Sequence, residues 1–163
     1  MKNKKALSGV VSAMIMIALI MAAGVVIWVF ANNIINKNLE EAESCFQIYD
    51  KISINNDYTC YDYLNGEIHI SIKVADISVD GILVGVSGEA NSKSFTLLKT
   101  DSVVTGVKPY SGDYTDAVSS PAENSGETYI LKFTEQPDSI ELAPIINGKQ
   151  CDVASGVYNI YEC

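Results

Sequence analysis

A chain of 163 residues with a formal charge of −9 has room for one compact domain of about 120 residues and an N-terminal appendage. The charge is unevenly divided: residues 1–37 hold four lysines and no acid, so residues 38–163 carry a formal −13. Such a body repels phosphate backbones, whose binding depends on neutralisation by Lys and Arg, and nucleic acid is excluded as a partner.

The chain begins with lysines at 2, 4 and 5, and from Ala6 to Asn36 no side chain is charged. Within this stretch the 22 residues Val10 to Ala31, "VVSAMIMIALIMAAGVVIWVFA", contain only Ser12 as a strongly polar residue. As a helix they span roughly 33 Å, the thickness of a bilayer core. A cleaved secretory signal has a shorter apolar region, although Val29 and Ala31 form a V-x-A site that such cleavage would use. The lysines stay cytoplasmic by the positive-inside rule, so residues beyond the helix face outward. Past Asn32, Asn33 and Asn36, apolar residues recur at Leu39, Ala42, Phe46 and Tyr49, with Glu40, Glu41 and Glu43 between them. That spacing predicts a helix from Leu7 to about Tyr49, roughly 65 Å long.

A helix that is apolar all round must be buried all round, in lipid or among copies of itself. Small residues four apart, Gly9 with Ala13 and Ala18 with Ala22, allow neighbouring helices to approach closely.

The stretch "KKALSGVVSAMIMIALIMAAGVVIWVF" resembles the N-terminus of archaeal type IV pilins and archaellins. These are made with a short basic leader that a prepilin peptidase removes just before the apolar helix. Carried over, the resemblance makes Lys4 and Lys5 the recognition charges, Ala6 the last leader residue and Leu7 the first mature residue, followed by Ser8. Bacterial type IV pilins have a glutamate at the fifth mature position, whereas this chain has Val11, as suits the archaeal branch. The resemblance implies self-association into a helical filament on the cell surface, with a prepilin peptidase, an assembly ATPase and a membrane platform protein as partners. Membrane lipid would hold the subunit before assembly.

The four cysteines, Cys45, Cys60, Cys151 and Cys163, form no C-x-x-C pair, which argues against a zinc or thiol redox motif and for two disulfides in an oxidising compartment. Three pairings are open. The local one, Cys45–Cys60 with Cys151–Cys163, is expected because it closes short loops at the two ends of the head.

After Asp50 the period changes to two. In "GEIHISIKVAD", Ile68, Ile70, Ile72 and Val74 alternate with Glu67, His69, Ser71 and Lys73, the pattern of a half-buried antiparallel strand. Further strands are expected at 81–87, 93–99, 102–108, 128–134 and 139–146, separated by turn signals such as Asn65-Gly66 and Asp80-Gly81. Asn147-Gly148 reads as a hairpin turn joining "LAPII" to "KQCDV". Residues 109–127 read as one exposed acidic loop, whose Asp113, Asp116, Glu123 and Glu127 lack EF-hand spacing.

His69, the only histidine, falls on the polar side of its strand, and no G-x-S-x-G, H-E-x-x-H or phosphate-binding glycine loop occurs. No catalytic, cofactor or metal site is therefore expected. Tyr58, Tyr61 and Tyr63 around Cys60, with Tyr158 and Tyr161, suit either a contact surface or ordinary strand positions. The expected fold is α+β: a leader at 1–6, a hydrophobic helix at 7–49, and an antiparallel β-sandwich-like head at 50–163. The expected function is a structural pilin. Its alternative is a singly anchored surface protein whose β domain binds a ligand through the 109–127 loop.

Overall fold

The computed structural model describes residues 4–46, 48 and 50–163, and for 4–8, 10, 36–44 and 46 it describes the helix backbone alone. It is α+β: among the described residues, an α-helix, α1 (Lys4–Phe46), is followed by antiparallel sheets and one short 3-10 turn, Asn56–Tyr58. The side chains of Lys4, Lys5, Ala6 and Leu7, and of Leu39, Ala42, Phe46 and Tyr49, lie outside this description. The chain divides into two compact units, Met1–Glu43 and Ser44–Cys163. That boundary is earlier than the expected one after Tyr49. Ile48 is buried in the core of the second unit, and Cys45 packs against that core.

Among its described residues the second unit contains ten strands: β1 (Ile52–Ile54), β2 (Cys60–Asp62), β3 (Glu67–Val74), β4 (Gly81–Gly88), β5 (Ser92–Leu98), β6 (Val107–Pro109), β7 (Ser125–Lys132), β8 (Pro137–Ile146), β9 (Lys149–Gln150) and β10 (Ser155–Tyr158). One sheet runs β1-β3-β7-β6, with β2 also pairing β3; the other runs β10-β8-β4-β5, with β9 also pairing β8. The alternating apolar residues of β3 and β4, among them Ile68, Ile70, Ile82 and Val84, are buried in one core with Leu131 of β7 and Ile140 and Leu142 of β8. Burial of each large aliphatic side chain contributes about 1.5 to 3 kcal/mol, so the period-two pattern is also the main source of the unit's stability.

Asn147 and Gly148 both have positive φ, 52° and 73°, as a two-residue hairpin turn of the primed type requires. They join β8 to the two-residue β9, and the Gly148 N–H donates to Asp80 Oδ2 at 2.9 Å.

Three expectations are corrected. The strand expected at 102–108 is confined to Val107–Pro109; Ser102 forms only an isolated bridge with Val118, and Gly106, with φ of 79°, turns the chain between them. The loop expected to be exposed over 109–127 is shorter and strapped down. Pro109 belongs to β6 and Ser125 opens β7, while Val118 and Ser120 are buried. Val118 exchanges two backbone hydrogen bonds with Ser102, and the Ser120 N–H donates to the Leu98 carbonyl at 2.7 Å.

The third correction concerns the cysteines. The bridges are Cys45–Cys151 and Cys60–Cys163, not the local pairs. Residues 160–163 return along β2, where the Tyr61 N–H donates to the Tyr161 carbonyl and the Cys163 N–H to the Tyr61 carbonyl. Cys163 is thereby set beside Cys60. Cys151, buried just past β9, is left to meet Cys45 at the end of α1.

Candidate functional site

Two surfaces carry chemistry beyond folding. The first is the helix. Val11–Ile35 is long and apolar enough to cross a membrane, and none of it is buried. Gly9, Ala13, Ala18 and Ala22 are all exposed. At about 100° per residue, Gly9 and Ala13 lie on one side of the helix and Ala18 and Ala22 roughly 180° away. Close approach is thus open on two opposite sides, the arrangement needed by a helix with several neighbours rather than one partner. Trp28 and Phe30, both exposed, stand just before Asn32 and Asn33, where an apolar span meets a polar boundary.

The second is the polar face of the β3 sheet. Antiparallel register sets Cys60, His69, Ile130 and Lys108 in one row across β2, β3, β7 and β6, with Asp62, Glu67 and Lys132 in the row beside it. Directly opposed residues share a face. The segment 110–124 folds over these rows. The Tyr114 hydroxyl donates to Glu67 Oε1 at 2.7 Å, and its ring lies 4.8 Å from Lys108 Nζ and 4.3 Å from Lys132 Nζ. Lys108 Nζ is 3.6 Å from the same Glu67 oxygen. A hydrogen bond to a charged acceptor contributes about 1.5 to 3 kcal/mol, more than a neutral one. Burial first, and the Glu67 carboxylate second, push the Tyr114 hydroxyl above the ordinary tyrosine range.

A second tyrosine ties the other end of this segment. The Tyr129 hydroxyl sits 2.5 Å from the Ser119 carbonyl and 2.8 Å from Glu127 Oε2, two acceptors for one proton. Burial, and then Glu127, raise it as well. The four acids of 109–127 are not gathered at a point: Asp116 Oδ2 accepts from the Asp113 N–H at 2.8 Å, whereas Glu127, in β7, is engaged by Tyr129.

His69 is half-buried beside the Cys60–Cys163 bridge, and the ring of Tyr110 meets it edge-on with centroids 5.9 Å apart. The two sulfurs nearest it are joined to each other and have no free thiol. Asp62, at the edge of this face, is held below the usual carboxylate range chiefly by the Asn65 side-chain amide.

No family model, curated protein or solved structure matches this chain. The site stands on its own geometry. Sequence reading singled out the helix residues and the tyrosines near Cys60 but not the group of Glu67, Lys108, Tyr114 and Lys132. Those four come from three strands and a connecting segment, and no local spacing announces them. Of the tyrosines, Tyr58, Tyr63, Tyr158 and Tyr161 are exposed, while Tyr61 is buried.

A groove of about 580 Å³ lies between Glu89, Glu135, Asp138, Tyr161 and Glu162. One of its lining carboxylates, Glu135, already accepts from the Ala90 and Asn91 N–H groups at 3.2 and 2.7 Å.

Proposed function

We propose that this chain is a pilin-like structural subunit. Its leader is cut before Leu7, its helix is held first by lipid and then by neighbouring copies, and its acidic head is displayed outside the cell. The observation that carries the reading is the wholly unburied apolar span Val11–Ile35 on a chain whose Ser44–Cys163 unit is closed by two disulfides. A spanning segment alone suits any anchor. Small residues open on opposite sides favour a multi-neighbour bundle, and the basic pair and small residue ahead of Leu7 match the leader of archaeal type IV pilins. The head is read as a β-sandwich, its two sheets packed over the shared core. Assembly would use heterologous contacts that repeat without closing. Its machinery is a prepilin peptidase, a cytoplasmic ATPase and a membrane platform protein.

The second reading, a singly anchored receptor, draws on the ordered segment 110–124, which holds Tyr110 exposed above the sheet. The two are separated by purifying surface filaments from expressing cells. The pilin reading expects this chain as their repeating component, seen by electron microscopy and mass spectrometry. A chain found only as a full-length membrane protein, with no filaments, overturns it in favour of the anchor.

A further inference from the structure

The geometry points to a zinc site concealed by a disulfide: Cys60, Cys163 and His69 form a Cys₂His set for a thiophilic divalent cation once the Cys60–Cys163 bond is reduced. Among the described residues this is the one group in which three metal-ligating side chains converge, with all donor atoms within 4.8 Å of one another. A tetrahedral zinc site with Zn–S of about 2.3 Å and Zn–N of about 2.0 Å sets its ligand atoms roughly 3.5 to 3.8 Å apart. To reach that arrangement the two sulfurs must part and the His69 nitrogen must settle within reach of both, starting from donor atoms no more than 4.8 Å apart.

Four features keep the ligands in place after the bond opens. Cys60 and His69 are opposed residues of β2 and β3, so the sheet fixes their separation. The backbone bonds Tyr61 N–H to Tyr161 O, at 2.8 Å, and Cys163 N–H to Tyr61 O, at 3.0 Å, hold the Cys163 segment against β2 without the disulfide. The Gln136 side chain adds a bond to the Ile160 carbonyl at 3.0 Å. Tyr110 packs edge-on against the His69 ring and limits its rotation. The strongly acidic charge of residues 38–163 raises the local concentration of divalent cations.

The two bridges differ in access. Cys163 is exposed and Cys60 half-buried, whereas Cys151 of the other bridge is buried. Exposed disulfides are the ones exchanged most readily. A dithiol reductant delivers two electrons and two protons to the Cys60–Cys163 bond and closes to a disulfide itself, leaving two thiols. Zinc then binds both sulfurs as thiolates, releasing two protons, and takes a neutral ring nitrogen of His69. Water completes the fourth position. In an oxidising compartment the disulfide is the resting state, and metal enters only where a reductant reaches it.

The test uses the full chain in detergent, reduced in steps with a dithiol, with thiols mapped by alkylation and mass spectrometry and metal uptake followed with Co²⁺ and Zn²⁺ alone. Cys60 and Cys163 are expected to label before Cys45 and Cys151. The partly reduced protein should bind one Co²⁺ with a near-ultraviolet thiolate charge-transfer band, displaced by Zn²⁺, while the oxidised protein shows no such band. His69→Ala should form the disulfide normally yet bind the metal at least about tenfold more weakly, the scale on which even outer-shell partners act. The proposal is overturned if the reduced chain shows no such band, if His69→Ala binds with the same affinity and spectrum, or if opening this one bond unfolds the head.

Discussion

Cys45, in the last turn of the long helix, is bonded to Cys151, 106 positions further along the chain. The second bridge, Cys60–Cys163, begins inside that loop and ends outside it, so the two are interleaved. Each encloses nearly the whole head. Cross-links that close long loops remove the most freedom from the unfolded chain. Replacing Cys45 and Cys151 together by serine is expected to cost roughly 2 to 5 kcal/mol of head stability, measured by denaturant unfolding. Peptide mapping under non-reducing conditions should recover Cys45 with Cys151 and Cys60 with Cys163. Recovery of Cys45 with Cys60 would contradict the fold, in which Cys60 is bonded to Cys163 and Cys45 to Cys151.

The Tyr114–Glu67 hydrogen bond predicts a local effect and a pH effect. Tyr114→Phe keeps the ring near Lys108 and Lys132 but loses the hydroxyl, so the segment 110–124 should become more susceptible to limited proteolysis while the sheets persist. A loss of about 1.5 to 3 kcal/mol is expected from the deleted bond to a charged acceptor.

Burial first, and then the Glu67 and Glu127 carboxylates, hold the Tyr114 and Tyr129 hydroxyls above the ordinary tyrosine range in the folded state. Their neutral forms are favoured by folding, so the stabilisation is complete below about pH 10. It is lost as pH climbs further, because the unfolded chain then releases protons that the folded one retains. Alkaline unfolding should begin near that pH, and Tyr114→Phe should reduce the slope. An unchanged slope would remove Tyr114 from the explanation.

The central strands were legible in the residues because burial imposes their pattern. β3, β4 and β8 each bury alternating aliphatics, and Asn147-Gly148 marks its hairpin because few other pairs accept two positive φ angles. β1, β2 and β10 have three or four residues each, too few for a period to register. Val103 and Val104 resemble a strand, but Gly106 turns the chain before any ladder forms. The disulfide pairing was illegible for a different reason: it depends on residues 160–163 lying along β2, a long-range contact. The Tyr114 group was hidden likewise, since Glu67 and Tyr114 are 47 positions apart.

Enlarging the small helix residues separates insertion from assembly. A Cβ added at Gly9 meets no atom within 4 Å in the isolated chain, and Ala18 is exposed, so neither Gly9→Leu nor Ala18→Leu has a folding cost from clashes. Both raise the hydrophobicity that governs insertion. The expected phenotype is a processed, membrane-held subunit with few or no filaments by electron microscopy. Val25→Glu should fail earlier, since a charged side chain in the apolar span costs about 2.5 to 3.5 kcal/mol. Wild-type assembly by all three would remove the helix from the filament core.

The most direct test is the N-terminal residue of the mature protein recovered from the cell envelope or surface. The pilin account predicts Leu7, with Lys5→Glu or a bulky residue at Ala6 leaving an uncut membrane precursor. A mature chain that begins at Met1 or Lys2 would mark a simple anchor, and one that begins at Asn32 would mean that the apolar helix is discarded; either result contradicts the account.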